Sequence, residues 1–576
     1  MKTNSDLSKY ETAFAPDEYT EAAKNKLGPF FSNLDKSVYA PLVFSPEVIG
    51  ALCSRTSRAA DDLRKIFLDE YIVPFLEPER GEKEDEEQWR EKQKYGRELQ
   101  EFINFLQQHP ITDIFSNPRA RSFYSKWLAQ YGDDSIAQMA GVHLVYSSLS
   151  MVAIKHFEDQ RIGLAPIEKS TRYVDYSSKI NGQYRYYTDP LLAEMGLEAA
   201  YRQAMDGLFE AYVALSMPLR EWLTHKYPEE EARVIQAKVF DTLRGLLPAS
   251  TLSQVAFFGN GQAFEYMVSK SLKNGLGEIR WAAQRGYEEL FKVVPSFLRR
   301  VNPGTDEGIK KAIDYQKYLA GRGKRMAPLV DKIFPVRSEA SPLGARVELI
   351  EYDPEGENKV IAGMIYGAPN NHYSWKEVLE KVKALDIIEK QEVLDTYFAG
   401  RTQRWQKVGR ALENAYVRYE ITMNIGAWRD LHRHRMLTQQ RQLFSCRHGY
   451  DMPPEIAEAD LVEPYQKAMD RAADVYEKIA RVNPEVAQYT VPMAYRVRFM
   501  QWENLRESFW ELELRTIPEG HPDYRHIEQQ KFILLQKVYP LITKLMRVNM
   551  GEYDFARRGQ EEKIQSKLKD LERQQV

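Results

Sequence analysis

Cysteine is almost missing from this chain: Cys53 and Cys446 are the only two in 576 residues. Two thiols exclude a disulfide framework and a four-thiolate zinc site, and they suit a reducing compartment. Long apolar runs are missing as well. No stretch approaches the roughly 20 apolar residues that span a bilayer, and the N-terminus mixes acidic and polar residues without an apolar signal core. A cytoplasmic protein is expected. Net charge of either sign is also lacking, because 80 Lys+Arg against 83 Asp+Glu leave only -3. No global basic field recruits nucleic acid or an anionic membrane, so any anionic ligand must be held by a local cluster. The chain has no Walker A loop, no G-x-G-x-x-G and no G-x-S-x-G elbow, and neither cysteine sits in a nucleophile motif.

What is present begins with length. Single cores stop growing at roughly 250–300 residues, so two domains are expected. Residues 1–36 carry turn formers and charges without sustained periodicity and read as an arm or partly ordered extension. From Pro41 an extended apolar piece enters a helical pattern, and the charged EPERGEKEDEEQWREKQK from Glu77 reads as a solvated linker or exposed helix face. Helical segments with aromatics continue to about Phe297. Residues 301–343, with GTDEG, GRGKR and EASPLG, are rich in breakers and read as a linker. ARVELIEYDP and NKVIAGMIYGA, separated by PEGEN, predict a hairpin. The charged tail, 551–576, reads as a frayed helix.

An internal repeat organises the chain. The run GDDSIAQMAGVHLVYSSLSMVAIKHFEDQR precedes IGLAPIEKSTRY, and GRALENAYVRYEITMNIGAWRDLHRHR precedes MLTQQRQLFSC. Both long runs read as helical. Arg244-Gly-Leu-Leu-Pro248 and Asn260 are echoed by Gln488-Tyr-Thr-Val-Pro492 and Asn504, at the same Pro-to-Asn spacing. The expected domains are repeat 1 over 37–300, with an insertion after Tyr173, and repeat 2 over 344–550.

Three clusters carry candidate chemistry. Arg433, His434 and Arg435, with His432 and Arg429 near, concentrate donors at the end of an apolar helix. Buried guanidinium groups need an anionic acceptor, and a diphosphate suits because Arg binds phosphate oxygens bidentately. A surface turn or an Arg–Glu network accounts for them equally well. His432, His434 and His448 raise a metal site, but flanking arginines repel a cation, so none is expected. Glu168, Ser170 and Arg172 alternate before Tyr173, which in an extended segment puts three polar groups on one face. A half-exposed strand explains that alternation too. Asn504, Arg506 and Arg515 follow on a predicted helix, where Glu511 and Arg515 are spaced as an intrahelical ion pair.

In order and spacing these clusters resemble the flavin-dependent thymidylate synthases. That family's motif reads Arg-His-Arg, two residues, Ser, one, Asn-Glu, one, Ser, one, Arg, usually followed by Tyr. Repeat 2 keeps Arg433, His434 and Arg435, then has Thr438, Gln440, Arg441, Leu443 and Ser445. Repeat 1 begins with Gln160, Arg161 and Ile162 but keeps Glu168, Ser170, Arg172 and Tyr173. Downstream, Arg244 matches in repeat 1 where repeat 2 has Gln488. Asn504, Arg506 and Arg515 match in repeat 2 where repeat 1 has Asn260, Gln262 and Lys270-Ser271. Losses in one copy are matched by retention in the other, as one composite site per chain would allow.

The resemblance implies a mixed α+β fold of two pseudo-symmetric, helix-rich domains, each with a small sheet. It implies an enzyme that reductively methylates deoxyuridylate (dUMP to dTMP), with methylenetetrahydrofolate supplying carbon and NADPH recharging FAD. In that reading Arg515 is catalytic, stabilising charge on the pyrimidine. Glu168, Ser170, Arg172 and Arg244 bind the nucleotide, and Arg433, His434, Arg435, Asn504 and Arg506 hold FAD. A homodimer would act as a pseudo-tetramer. A catalytically silent flavin- or nucleotide-binding protein, and an interaction scaffold, are the alternatives.

Overall fold

The computed structural model describes residues 7–81, 84–111, 119, 137–139, 141–334 and 344–556. The start of the first long run at 132–136, the linker residues 335–343 and the tail beyond 556 lie outside the described residues.

The chain divides into two compact units, and neither is one continuous stretch. The first takes 1–209, 248–338 and 478–490; the second takes 210–247, 339–477 and 491–576. Arg244, from repeat 1, therefore folds with the second unit, and Gln488, from repeat 2, folds with the first. Within the second unit Met493 N–H donates to Leu247 O at 3.0 Å and Ala494 N–H to Gly245 O at 2.9 Å. Within the first, Ser250 N–H donates to Tyr489 O at 3.2 Å.

The first unit holds an antiparallel sheet of β1 (Val38–Tyr39), β2 (Gly141–Ser150), β3 (Leu164–Glu168) and β4 (Leu252–Asn260), in the order β1-β2-β4-β3. Its helices include α1 (Met151–Glu158), α2 (Gly261–Ser271) and α3 (Gly277–Val293). The second unit repeats this plan. Strands β5 (Arg346–Tyr352), β6 (Tyr416–Asn424), β7 (Thr438–Arg441) and β8 (Arg496–Asn504) run in the order β5-β6-β8-β7. Helices α4 (Ile425–Leu431), α5 (Leu505–Arg515) and α6 (Pro522–Val538) follow, with α6 packed on β5, β6 and α5. The fold is mixed α+β and helix-rich.

In each unit both central strands end on a small polar residue that starts a helix. Ser150 Oγ accepts from Ala153 N–H at 3.1 Å, and Asn424 Oδ1 accepts from Ala427 N–H at 2.8 Å. Asn260 and Asn504 share φ -87 and ψ 163, and each accepts a backbone N–H at 2.9 Å, from Ala263 and Glu507. These caps satisfy donors that a helix start leaves without partners. They also hold the first turns of α2 and α5 directly off the sheet.

Several expectations are corrected. The two long runs preceding the motifs are strand in their middle parts, because pairing of β2 with β4 and of β6 with β8 overrides the helical reading of these segments. The longer helices described there are α1 and α4, with a short 3-10 helix at Arg410–Asn414, and α4 ends at Leu431, before the Arg-His-Arg cluster. No hairpin follows β5. It pairs with β6, and NKVIAGMIYGA lies largely in the helix Gly356–Tyr366, which buries Val360, Ile361 and Met364. Most of the breaker-rich linker is a helix, Asp306–Ile333, capped by Thr305 Oγ1 on Gly308 N–H at 3.2 Å. A glycine in a helix costs only about 1 kcal/mol, which burial of Ala312 and Leu319 offsets. Of the two readings of the N-terminal extension, the described part from Leu7 favours order over a loose arm, since Leu27, Phe30 and Phe31 join Leu52 and Phe67 in one core cluster. Of the two readings of the charged stretch after Glu77, the exposed helix face holds: it enters the mostly exposed helix Glu86–Gln108 through a capping box at Asp85. Among the described residues no helix is long and apolar enough to cross a membrane.

Candidate functional site

His434 is the centre of the site in the second unit. It follows α4 and is buried, while Arg433 and Arg435 on either side are exposed. The cluster thus alternates, with imidazole inward and both guanidinium groups outward. His434 Nδ1 lies 2.7 Å from Glu507 Oε1, and Arg515 Nε donates to His434 Nε2 at 2.9 Å. Glu507 stands in the first turn of α5 and Arg515 is its last residue, so one imidazole ties together both ends of that helix. An acid near the helix start and a cation at its end also agree with the helix dipole.

Beside this trio is a cavity of about 380 Å³ whose wall includes Asn504, Arg506, Arg404, Lys407 and Trp510. Arg506 pairs with Glu413 at 2.6 Å, and Arg401 makes a two-point pair with Glu513 at 3.0 and 2.6 Å. The Lys407 ammonium sits 3.1 Å from the centre of the exposed Trp510 ring. Desolvation holds that ammonium below its usual range, and Arg404 and Arg506 add to the effect against the pull of Glu507. Cations brought close around an open cavity suit an anionic ligand, and an exposed indole offers a flat surface for a ring. Arg401, Arg404, Lys407 and Trp510 were missed in the sequence because they lie outside the recognised motif positions; the run RTQRWQK was the signal for the first three, and Trp510 stands between Arg506 and Arg515.

Arg244 reaches the second unit but lines a different cavity, of about 190 Å³, with Asn424, Gly426, Asp451, His521 and Asp523. Gly426 gives it room: a Cβ there would lie 3.3 Å from Arg244 Nε. Asn424 Nδ2 donates to Asp451 at 3.0 Å and Asp523 at 2.7 Å, so this cavity is rich in carboxylate. Glu168, Ser170 and Arg172 are in the first unit. Strand β3 stops at Glu168, and Ser170 Oγ accepts the Arg172 N–H across a turn at 3.2 Å, so the three do not share one extended face. Glu168 is buried against Lys155, which also holds Glu158 at 2.6 Å. The three histidines raised as metal ligands have separate surroundings: His432 lies 4.6 Å from the Trp428 ring and His448 Nε2 is 3.2 Å from Gln442 Oε1.

A family model for the thymidylate synthase complementing protein matches residues 79–296 and again 348–541. The chain belongs to this family. The double match is a tandem of two copies of this family, and each match holds the two central strands of one four-stranded sheet. A UPF0159 protein of Chlamydia pneumoniae is 34% identical over 556 residues, covering 95% of this chain and 98% of that protein. One from Chlamydia muridarum is 33% identical over 94% of this chain and 98% of its own length. One from Thermoplasma acidophilum is 30% identical, over 76% and 91% respectively. A crystal structure of a UMP/dUMP methylase, PolB from Streptomyces cacaoi bound with 5-Br dUMP, aligns at 14% identity and a TM-score of 0.27, covering 35% of this chain and 94% of that one.

Behind the site, this family member buries an unexpected polar wall. Glu511 does not pair with Arg515; it is fully buried and accepts from Lys531 Nζ at 2.6 Å and from Gln501 Nε2 at 2.6 Å. Lys531 also reaches Glu503 and Glu528, each at 3.3 Å, with all four side chains completely enclosed. One ammonium cannot balance three buried carboxylates, so protons must be retained. Burial pushes Glu503 up to about 7 and sends Glu528 well above the carboxylate range, the latter helped by Glu511. Burial would raise Glu511 too, but Lys531 outweighs it and holds Glu511 at about 2.

Proposed function

We propose that this chain is a flavin-dependent methyltransferase that converts deoxyuridylate to thymidylate, taking carbon from methylenetetrahydrofolate and reducing equivalents from NADPH. The observation that carries this reading is the cavity of the second unit beside the His434–Arg515 pair, where Arg404, Lys407 and Arg506 stand with Trp510 in a wall that also holds Glu413, Glu507 and Glu513. It supports FAD as the cofactor, because a dinucleotide needs both diphosphate donors and a ring surface. Arg506, Arg404 and Lys407 would hold the diphosphate, with Asn504 and the exposed Arg433 and Arg435 as further donors, and Trp510 would meet a ring. Bound flavin would supply the redox chemistry. Arg515 would stabilise negative charge developing on the pyrimidine, with its Nε anchored on His434. Arg244, Ser170 and Arg172 remain the proposed nucleotide contacts, and two chains would assemble as a pseudo-tetramer.

A second reading is a nucleotide-binding protein without turnover. It is favoured by Glu168, whose carboxylate is buried against Lys155 rather than open to a ligand. Visible absorption of the purified chain after adding FAD and desalting separates the two. Retained flavin bands that shift on adding deoxyuridylate, with thymidylate formed when folate and NADPH are supplied, are expected. Retained bands without product would establish the second reading, and loss of all flavin would overturn both as flavoprotein readings.

A further inference from the structure

The trio around His434 contains a tautomer constraint. Arginine Nε–H can only donate, so His434 Nε2 must present a lone pair to Arg515 at 2.9 Å. The ring proton is therefore on Nδ1, where the Glu507 carboxylate accepts it at 2.7 Å. The ring and its carboxylate partner are enclosed, His434 at 2% and Glu507 at 7% side-chain exposure, so water is kept from the bond that selects the tautomer; Arg515 is half-buried. The acceptor that anchors Arg515 thus exists only in the tautomer that Glu507 selects.

The other repeat supplies an internal control. Three residues after the cap, where α5 has Glu507, α2 has Ala263, and Arg161 and Ser271 occupy the positions of His434 and Arg515. All three members are missing together. The cap, the helix and the sheet persist without them, so α5 does not need the trio to fold in this arrangement.

We propose that Glu507 is a positioning residue: it sets His434 in the Nδ1–H tautomer, and His434 in turn holds the Arg515 guanidinium by Nε and directs its terminal nitrogens toward the ligand. The part of this inference that concerns turnover rests on the methyltransferase reading above; the tautomer part does not.

The test uses the full-length chain labelled with 15N-histidine, in the wild-type, Glu507→Gln and Glu507→Leu forms, with His434→Gln to assign the signal. Wild type is expected to show a protonated Nδ1 and an unprotonated Nε2 at His434. Glu507→Gln, whose amide oxygen still accepts, should keep that pattern, and Glu507→Leu should lose it. With deoxyuridylate, kcat should fall at least tenfold in Glu507→Leu and less than threefold in Glu507→Gln, with FAD retention unchanged in both. An unchanged His434 pattern in Glu507→Leu overturns the proposal whether or not the protein turns over. Altered tautomer with unchanged kcat in a working enzyme overturns the positioning role. If no form turns over, the methyltransferase reading fails, and the tautomer pattern still decides whether Glu507 governs His434. Should Glu507→Leu not fold, an Nε2-protonated His434 in wild type overturns the proposal by itself.

Discussion

The two units share strand order, cap geometry and helix placement, yet the space between sheet and helices is filled by opposite chemistries. Counting from the caps Asn260 and Asn504, the first unit has Phe257, Phe264 and Met267 where the second has Gln501, Ser508 and Glu511. Across the central strand pair, Leu144 faces Phe257 whereas Tyr419 faces Gln501. All of these side chains are buried. The backbone plan thus tolerates either an apolar or a charged interior, so the polar wall is not needed to make the fold. It stands in the unit that keeps the Arg-His-Arg cluster, Asn504, Arg506 and Arg515. The cavities differ in the same sense: around the first cap, Gln262, Ala263 and Tyr266 replace Arg506, Glu507 and Trp510 in a space of about 510 Å³. At these positions the first copy lacks the charge of the second while its frame persists; its own buried charges, Lys155 with Glu158 and Glu168, lie elsewhere.

This contrast can be broken most directly at Lys531. Removing the one ammonium among three enclosed carboxylates, as Lys531→Met, should destabilise the second unit by about 3–5 kcal/mol, read as a fall in Tm; an unchanged Tm would mean the wall is already neutral. Next in size is Arg515→Ala, expected to lower the methylation rate about 100-fold while FAD absorption persists after desalting. A Ser271 substitution in the first unit should leave both unaltered, and equal losses at the two positions would erase the distinction between the copies.

A pH series sharpens the comparison. Burial pushes Glu278 in the first unit up to about 7, against opposing hydrogen bonds from Ser150 and Tyr489, and Glu503 in the second to about 7 as well. An unfolded glutamate titrates near 4.5, so between that pH and 7 the folded chain holds protons that the unfolded chain releases. The stability these groups contribute is complete below about 4.5, declines as pH rises through about 7, and is gone above it. Tm should therefore drop between pH 5 and pH 8, and Glu503→Gln and Glu278→Gln should each flatten the decline. A decline untouched by either substitution would assign it to other groups. The smallest effect is expected at the caps, where Asn260→Ala and Asn504→Ala should each cost about 1 kcal/mol, but only Asn504→Ala should also weaken flavin retention.

Much of the site was legible because its residue types are costly to keep without a purpose. His434, Asn504, Arg506 and Arg515 stood out through order and spacing, and the structure brings His434 and Arg515 into direct contact. Glu507 did not stand out, since a glutamate in a first helical turn is ordinary. Glu511 misled for a related reason: four residues from Arg515 it matches a surface ion-pair spacing, and only the arrival of α6 with Lys531 turns it inward. Strand β2 was hidden because most of its length is buried on both faces, whereas β6 does alternate, with Val417, Tyr419 and Ile421 buried and Arg418 and Glu420 partly exposed between them, a strand signal that the helical reading of the whole run overrode.

What the amino-acid order determined by itself was the duplication, the family and the division of one motif between two copies, all of which are relations of residue identity and spacing along the chain. Only the tertiary structure decided that 210–247 fold with the second unit and 478–490 with the first, which puts Arg244 beside Gly426 in a cavity apart from Arg506. Only it revealed the Glu507–His434–Arg515 bonds and the enclosed carboxylates. The physical reason is distance in sequence: hydrogen bonds and desolvation act between neighbours in space, and the partners of His434 are 73 and 81 residues away along the chain.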